Sequence, residues 1–135
     1  MIRQLEVQAH APGLTEITRE VRAVVHEAGL DEGLATLFIQ HTSASLIIQE
    51  NADPAVQRDL EAFLERLVPE GDPLFTHTAE GPDDMSAHVR GVLTATSLAV
   101  PVVGGELALG TWQGIFLWEH RRTPRRRTIL LHLAG

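Results

Sequence analysis

Apolar and polar positions along the chain change their period several times, and each change marks an expected element. Residues 2–8 set Ile2 and Val7 among polar neighbours in imperfect alternation, which reads as an opening strand. Ile17, Val21, Val24, Val25 and Ala28 then recur at helical spacing. Thr15 is the expected cap of that helix, Gly29 its left-handed stop, and Leu30 is placed to fold back on Val25. Leu34 to Gln40 and Leu46 to Gln49 are apolar runs on either side of a polar HTSAS segment, the pattern of buried strands.

Asp53-Pro54 opens a second helix, because Asp accepts the orphan amides at the N-cap and Pro at the first helical position loses no hydrogen bond. Val56, Leu60, Phe63, Leu64 and Leu67 supply its expected buried stripe. From Pro69 to Asp84 the chain is rich in Pro, Gly and acidic residues, so a long irregular connection is expected there, of the kind that often carries function. A third helix begins near Asp83 to Ser86, with Met85, Val89, Val92 and Leu93 on one face and His88 at its border. Gly91 within it costs about 1 kcal/mol relative to Ala. Gly104-Gly105 between Leu98 to Val103 and Glu106 to Leu109 is suited to a two-residue hairpin turn. Gly114 to His120 and Thr128 to Leu133 are the last strands, and their Arg-rich link, with Pro124, reads as a hairpin loop. No internal repeat or interdomain linker interrupts the 135 residues, so one domain is expected.

Composition narrows the function classes. With 44% hydrophobic and 21% charged residues the chain is that of a packed globular protein. A formal net charge of -7 repels polyanions, so nucleic acid is not an expected partner. The absence of cysteine excludes disulfides, thiolate metal sites and cysteine nucleophiles, and leaves His, Asp and Glu as metal ligands. The opening residues lack the apolar stretch of a signal peptide and no run approaches a membrane span, so a cytoplasmic protein without membrane contact is expected.

Seven histidines remain to be explained. His10, His26 and His132 have no clustered polar neighbours and read as ordinary amphipathic residues. His41 ends an apolar strand and opens onto Thr42, Ser43 and Ser45, hydroxyl residues that admit a ligand closely; its ordinary reading is a histidine bonded to a backbone carbonyl. His77 lies in the acidic loop and His88 eleven residues later, with Glu80, Asp83 and Asp84 between them. Imidazoles are common zinc ligands and carboxylates orient them, although solvated acid and helix capping account equally for those acids. Three histidines with a fourth position left to water would form a catalytic zinc site.

Gly110, Thr111, Trp112, Gln113 and Gly114 offer backbone amides for an anion; the ordinary reading is a tight bend with Trp112 in the core or at a subunit contact. Arg121, Arg122, Arg125, Arg126 and Arg127 concentrate positive charge that is suited to phosphate, or else to a solvated tip or an acidic neighbouring subunit. Asp53 has a sufficient task as an N-cap.

Three blocks, HTSASLIIQENADP, H-x-x-EGPDDMSAH and ALGTWQGIFLWEHR, in this order and at these separations, closely resemble the YjbQ family, also known as the secondary thiamine-phosphate synthase enzyme family. The resemblance runs over nearly the whole chain. It implies an α+β fold with a mixed, largely antiparallel sheet flanked by helices, a homotrimer with a site near the subunit contacts, and zinc or another divalent metal on His41, His77 and His88, with His120 behind them. It also implies a metal-dependent enzyme acting on a small phosphorylated molecule, with a secondary thiamine-phosphate synthase activity. Glu50, Asp53 and Asp84 are then the expected proton-transfer groups, and Gly110, Thr111, Gln113 and Arg121 the expected anion holders. A non-catalytic trimer whose metal serves structure or sensing is the alternative class, and an open cleft at the metal would separate the two.

Overall fold

The computed structural model describes residues 1–135. Eight strands and three helices follow one another as β1 (Ile2–Gln8), β2 (Gly13–Glu16), α1 (Thr18–Ala28), β3 (Gly33–Ile39), β4 (Ala44–Glu50), α2 (Pro54–Leu67), α3 (Asp84–Leu93), β5 (Ser97–Val103), β6 (Glu106–Leu107), β7 (Gln113–Glu119) and β8 (Arg126–Ala134). The α+β expectation holds. The strands form two curled sheets, one ordered β1-β8-β3-β5-β6 and the other β2-β7-β4, and every pairing is antiparallel. Eighteen buried apolar residues form the main core, drawn from both sheets and from Val21 and Val25 of α1. None of the helices is long and apolar enough to cross a membrane.

The expected strands recur with shifted ends, β4 starting at Ala44, β6 stopping at Leu107 and β8 starting at Arg126, and β2 is an additional strand. Gly104 and Gly105 take φ of 58° and 80°, the positive values a tight hairpin turn between β5 and β6 requires and L side chains resist. Asp53 caps α2, accepting a hydrogen bond from the Ala55 amide at 2.9 Å, and Gly29 ends α1 at a φ of 65°.

Four expectations are corrected. Thr15 does not cap α1. It lies on β2 opposite Leu117, where its hydroxyl accepts the His10 amide, and α1 starts directly from the strand end without a side-chain cap. The Arg-rich link is not a hairpin loop, because β7 and β8 belong to different sheets and residues 120–125 carry the chain from one to the other. Residues 40–43, between β3 and β4, make the same change of sheet, and the two crossings touch where the His120 amide donates to the Ser43 carbonyl at 3.1 Å.

The helices are the other two surprises. In α2 only Leu64 of the expected stripe is fully buried, while Phe63 and Leu67 are 55% and 57% exposed. In α3 the buried positions are Asp84, Ser86, Ala87 and Arg90, whereas Val92 and Leu93 are 83% and 56% exposed. The polar face turns inward because each of its groups finds a partner. Ser86 donates to the Asp83 carbonyl, and Arg90 donates twice to the Val68 carbonyl at the C-cap of α2, where a cation also suits the helix dipole. Gly91 permits the approach of α3 to the first crossing, since a Cβ there would stand 3.1 Å from the Thr42 carbonyl oxygen.

A buried ion pair closes the gap between the sheets. Glu119, at the end of β7, is fully buried and receives Arg127 of β8 through Nε and Nη2, each at 2.6 Å. The Arg121 amide donates to the same carboxylate at 3.0 Å, and Arg127 also donates to the Ser43 hydroxyl at 3.0 Å. Removing one member of such a pair leaves an uncompensated buried charge. Glu119→Gln is therefore expected to lower unfolding stability by about 3–5 kcal/mol in urea denaturation, and Arg122→Gln, which opens the exposed pair with Glu70, by much less. Equal losses in the two variants would remove the special role of the buried pair.

Candidate functional site

The site lies beside the crossings, where residues 69–83 fold over the start of α3. That loop has no regular structure, yet it is fastened at several points. The Asp72 carboxylate accepts the Leu74 amide at 2.9 Å, Glu70 pairs with Arg122, and the Glu80 carbonyl accepts from Arg121 at 3.0 Å. His77 is the remaining anchor, with its Nε2 2.7 Å from Asp84 Oδ2.

Asp84 is the hub. It is 2% exposed, and its Oδ2 faces His77 and, at 3.2 Å, Nε2 of His88 one helical turn along α3, while Oδ1 accepts Arg121 Nη1 at 2.6 Å. The two imidazole rings meet edge to face with centroids 5.5 Å apart. Burial alone would raise the Asp84 pKa, but the His77 hydrogen bond, the Arg121 charge and His88 outweigh it and hold the carboxyl below its usual range. The donor atoms of His77, Asp84 and His88 all lie within 4.8 Å of one another. His88 Nδ1 is fixed by the Thr42 carbonyl at 3.2 Å.

Arg121 sets this geometry rather than waiting for an anion. Four donor contacts, to Asp83 Oδ2 and Oδ1, Asp84 Oδ1 and the Glu80 carbonyl, engage its guanidinium. Its hydrogen bonds to Asp83, with further help from the Arg122 amide, bring the Asp83 pKa down to about 2. The expected arginine cluster is thus dispersed, with Arg121 on Asp83 and Asp84, Arg122 on Glu70, and Arg127 on Glu119.

His41 stands apart from the cluster of His77, Asp84 and His88. Its Nδ1 is 3.2 Å from Arg127 Nη1 and its Nε2 is 3.3 Å from the Thr128 amide, and burial followed by the Arg127 charge lowers its pKa. It meets His88 only across a pocket of about 350 Å³ that Thr42, Thr94 and Thr96 also line.

Glu50, Asp53, Gly110, Thr111 and Gln113 are held away from this cluster. In the β4–β7 ladder Ala44 opposes Glu119 and Glu50 opposes Gln113, so Glu50 lies six extended residues, about 20 Å, from the end next to the crossings. The carboxylate of Asp53 caps α2, and Gln113 Oε1 accepts the Gly110 amide at 2.7 Å, which uses the amide expected to hold an anion. Trp112 is 62% exposed on that turn and is not a core residue.

Sequence reading passed over Glu119, placed Ser45 beside His41 rather than His120, and kept His120 in a minor role. His120 is 2% exposed and bonded through Nε2 to the Ser45 hydroxyl at 2.8 Å, which in turn accepts from Thr94 at 2.6 Å. Burial, followed by the charges of Arg90 and Arg127, brings its pKa down to about 3, so the imidazole is neutral. An acid closing the otherwise apolar run GIFLW was the available signal for a buried Glu119.

An α+β domain of two curled antiparallel sheets, with a histidine–aspartate cluster beside the crossings between them, defines the class of protein. The family described as UPF0047 protein YjbQ-like matches residues 3–135, and this chain belongs to it. The UPF0047 protein sll1880 of Synechocystis is 50% identical over 131 residues, covering 97% of this chain and 89% of that protein. The UPF0047 protein YjbQ of Escherichia coli O157:H7 is 40% identical over 134 residues, covering 98% and 96%. Among solved structures, the conserved hypothetical protein TT1486 from Thermus thermophilus superposes with a TM-score of 0.87 at 37% identity, covering 98% of this chain and 99% of that one. The hypothetical protein APE1520 from Aeropyrum pernix K1 reaches 0.90 at 28% identity, covering 100% and 98%.

Both His120 and Asp83 have folded-state pKa values below their unfolded ones, so each contributes stability that is complete above the unfolded value and lost as pH falls. The window runs from 6.5 to about 3 for His120 and from 3.8 to about 2 for Asp83. Urea denaturation of wild type and His120→Gln at pH 7 and pH 4.5 is expected to show the wild type losing on the order of 2 kcal/mol more across that interval. A parallel loss in both would contradict a buried neutral imidazole. Arg121→Leu is expected to flatten the further loss between pH 4 and pH 2.

Proposed function

We propose that this protein is a metal-dependent enzyme acting on a small molecule, with zinc or another divalent cation held by His77, Asp84 and His88. The observation that carries the reading is the convergence of three ligand atoms from one loop and one helical turn. Bonds of about 2.0–2.2 Å to a tetrahedral ion put ligand atoms roughly 3.3–3.5 Å apart. The 3.2 Å between Asp84 Oδ2 and His88 Nε2 is close to that, and His77, at 2.7 Å, needs to open by several tenths of an ångström. Asp84 thus moves from an expected proton-transfer group to an expected ligand.

Access favours the enzyme over a purely structural ion. The side chains of His77 and His88 are 42% and 31% exposed, and clefts lie on both sides of the cluster. A bound cation would supply Lewis acidity, polarising a substrate oxygen or acidifying water. The chain's own contribution is orientation. Arg121 holds Asp84 ionised and in place, and the Thr42 carbonyl fixes the ring of His88. A phosphorylated substrate, and the transferase reading as a secondary thiamine-phosphate synthase, suits this arrangement with the phosphate directed at the cation, because Arg121, Arg122 and Arg127 are already paired.

The homotrimer belongs to the same proposal. Phe63 and Leu67 of α2, Leu74 of the loop, and Val92 and Leu93 of α3 are each more than half exposed, and a second copy of the chain is the partner we assign to these apolar positions. The compartment we assign is the cytoplasm, on the sequence reading.

Zinc titration of tag-free protein by calorimetry tests the site. His77→Ala and His88→Ala are expected to weaken binding by about a hundredfold or more, whereas His41→Ala leaves it within about threefold. Wild-type protein that takes up no zinc, or a His41→Ala effect as large as that of His88→Ala, would sink the assignment. Light scattering on eluting protein tests the assembly, with three 14.8 kDa chains expected for wild type and a shift to monomer for Val92→Asp; a monomeric wild type overturns it.

A further inference from the structure

We infer that the cleft beside His77 receives an uncharged, planar ring, the part of the ligand that extends away from the histidine–aspartate cluster; this rests on the small-molecule reading above. The cleft has a volume of about 470 Å³ and lies between the loop and the first turn of α3. Pro73, Phe75, Pro82 and Met85 give it apolar walls, and Asp72, His77 and Thr78 are its polar lining residues. The size suits one ring or two fused rings, and aromatic, proline and thioether surfaces pack best against a flat face.

Charge selects the same ligand. No arginine lines the cleft, and Asp72, which does, carries a carboxylate already turned to the Leu74 amide. The nearby guanidinium groups of Arg121 and Arg122 are held by Asp83, Asp84 and Glu70. Away from the His77 end, an anion would meet the Asp72 carboxylate with no unpaired guanidinium beside it, whereas a neutral ring meets the apolar walls. His77 supplies a point of specificity. Its Nε2 is turned to Asp84, while its Nδ1 has no hydrogen-bond partner within the chain, which leaves one ring nitrogen to meet a heteroatom of the ligand. The ligand class is therefore a neutral aromatic heterocycle.

The walls are preformed. Asp72 accepts both the Leu74 amide, through its side chain, and the Phe75 amide, through its carbonyl at 3.0 Å, and the far end of the loop is fixed by Arg121 on the Glu80 carbonyl. Ordering the loop is thus not charged against binding.

The probe is benzimidazole, titrated into the full chain with and without zinc and followed by the methionine methyl resonances. The chain has two methionines, so Met85 is read against Met1 as an internal control. The expected result is a saturable shift of the Met85 methyl with no change at Met1, weakened by about tenfold or more in Phe75→Ala. Phe75→Leu, which keeps an apolar side chain, should lie between. Without zinc, inorganic phosphate should leave Met85 unmoved. Absence of a Met85 shift, equal affinity in wild type and Phe75→Ala, or displacement of benzimidazole by phosphate in the zinc-free protein would overturn the inference. The two readings fail separately: a Met85 response without zinc uptake sinks the metal and keeps the cleft, and zinc uptake without a Met85 response does the reverse.

Discussion

The pairing of Glu119 with Arg127 is the constraint on which the architecture turns. Each residue is a buried charge near the end of a strand, and each strand belongs to a different sheet. Burial of either alone would be prohibitive, so the ends of β7 and β8 are held side by side, with the Arg121 amide and the Ser43 hydroxyl completing the hydrogen bonding. A hydrophobic core by itself would tolerate several relative positions of two curled sheets. A two-pronged guanidinium–carboxylate contact tolerates very few.

From that fixed point the geometry propagates outward to the candidate site. Arg121 follows Glu119 by two residues, and with its amide anchored its side chain reaches the start of α3, where Asp83 and Asp84 receive it. Asp84 then aligns His77 from the loop and His88 from the helix. The unusual polarity of α3 follows from the same chain of contacts. Its inward face carries acid, hydroxyl and guanidinium because the space beneath it is filled with complementary polar groups, and no buried side-chain nitrogen or oxygen lacks a partner. Val92 and Leu93 are left outside, as Phe63 and Leu67 of α2 are, and this is the physical motive for assigning them to contacts between copies.

Much of the fold was legible in the residues themselves. The strand runs, the Asp53-Pro54 start, the Gly29 stop and the Gly104-Gly105 turn are local properties of backbone preference and alternating burial, and they need no tertiary information. The irregular acidic loop was legible for the same reason. Thr15 was misread because a residue suited to capping is equally suited to a short strand, and the choice was made by the pairing of β2 with β7. Helical faces were misread more seriously. Periodicity in α2 and α3 marks which residues share a side, and it is silent on whether that side meets the core of the same chain.

The candidate site divides along the same line. The sequence by itself determined that His77, Asp84 and His88 are available within twelve residues and, with no cysteine present, that imidazole and carboxylate are the only strong ligand types on offer. It also determined the family, through three specific blocks within a match that runs over nearly the whole chain. Only the tertiary structure decided that Asp84 sits between the two histidines, that His41 is turned to Arg127, and that Glu50, Asp53 and the residue 110–113 turn lie at the far end of the β4–β7 ladder. The reason is reach. Extended strands carry their residues apart by a fixed distance per position, while a helical turn and a fastened loop bring theirs together, and which ends of the strands meet is set by the crossing between sheets rather than by any neighbour in sequence.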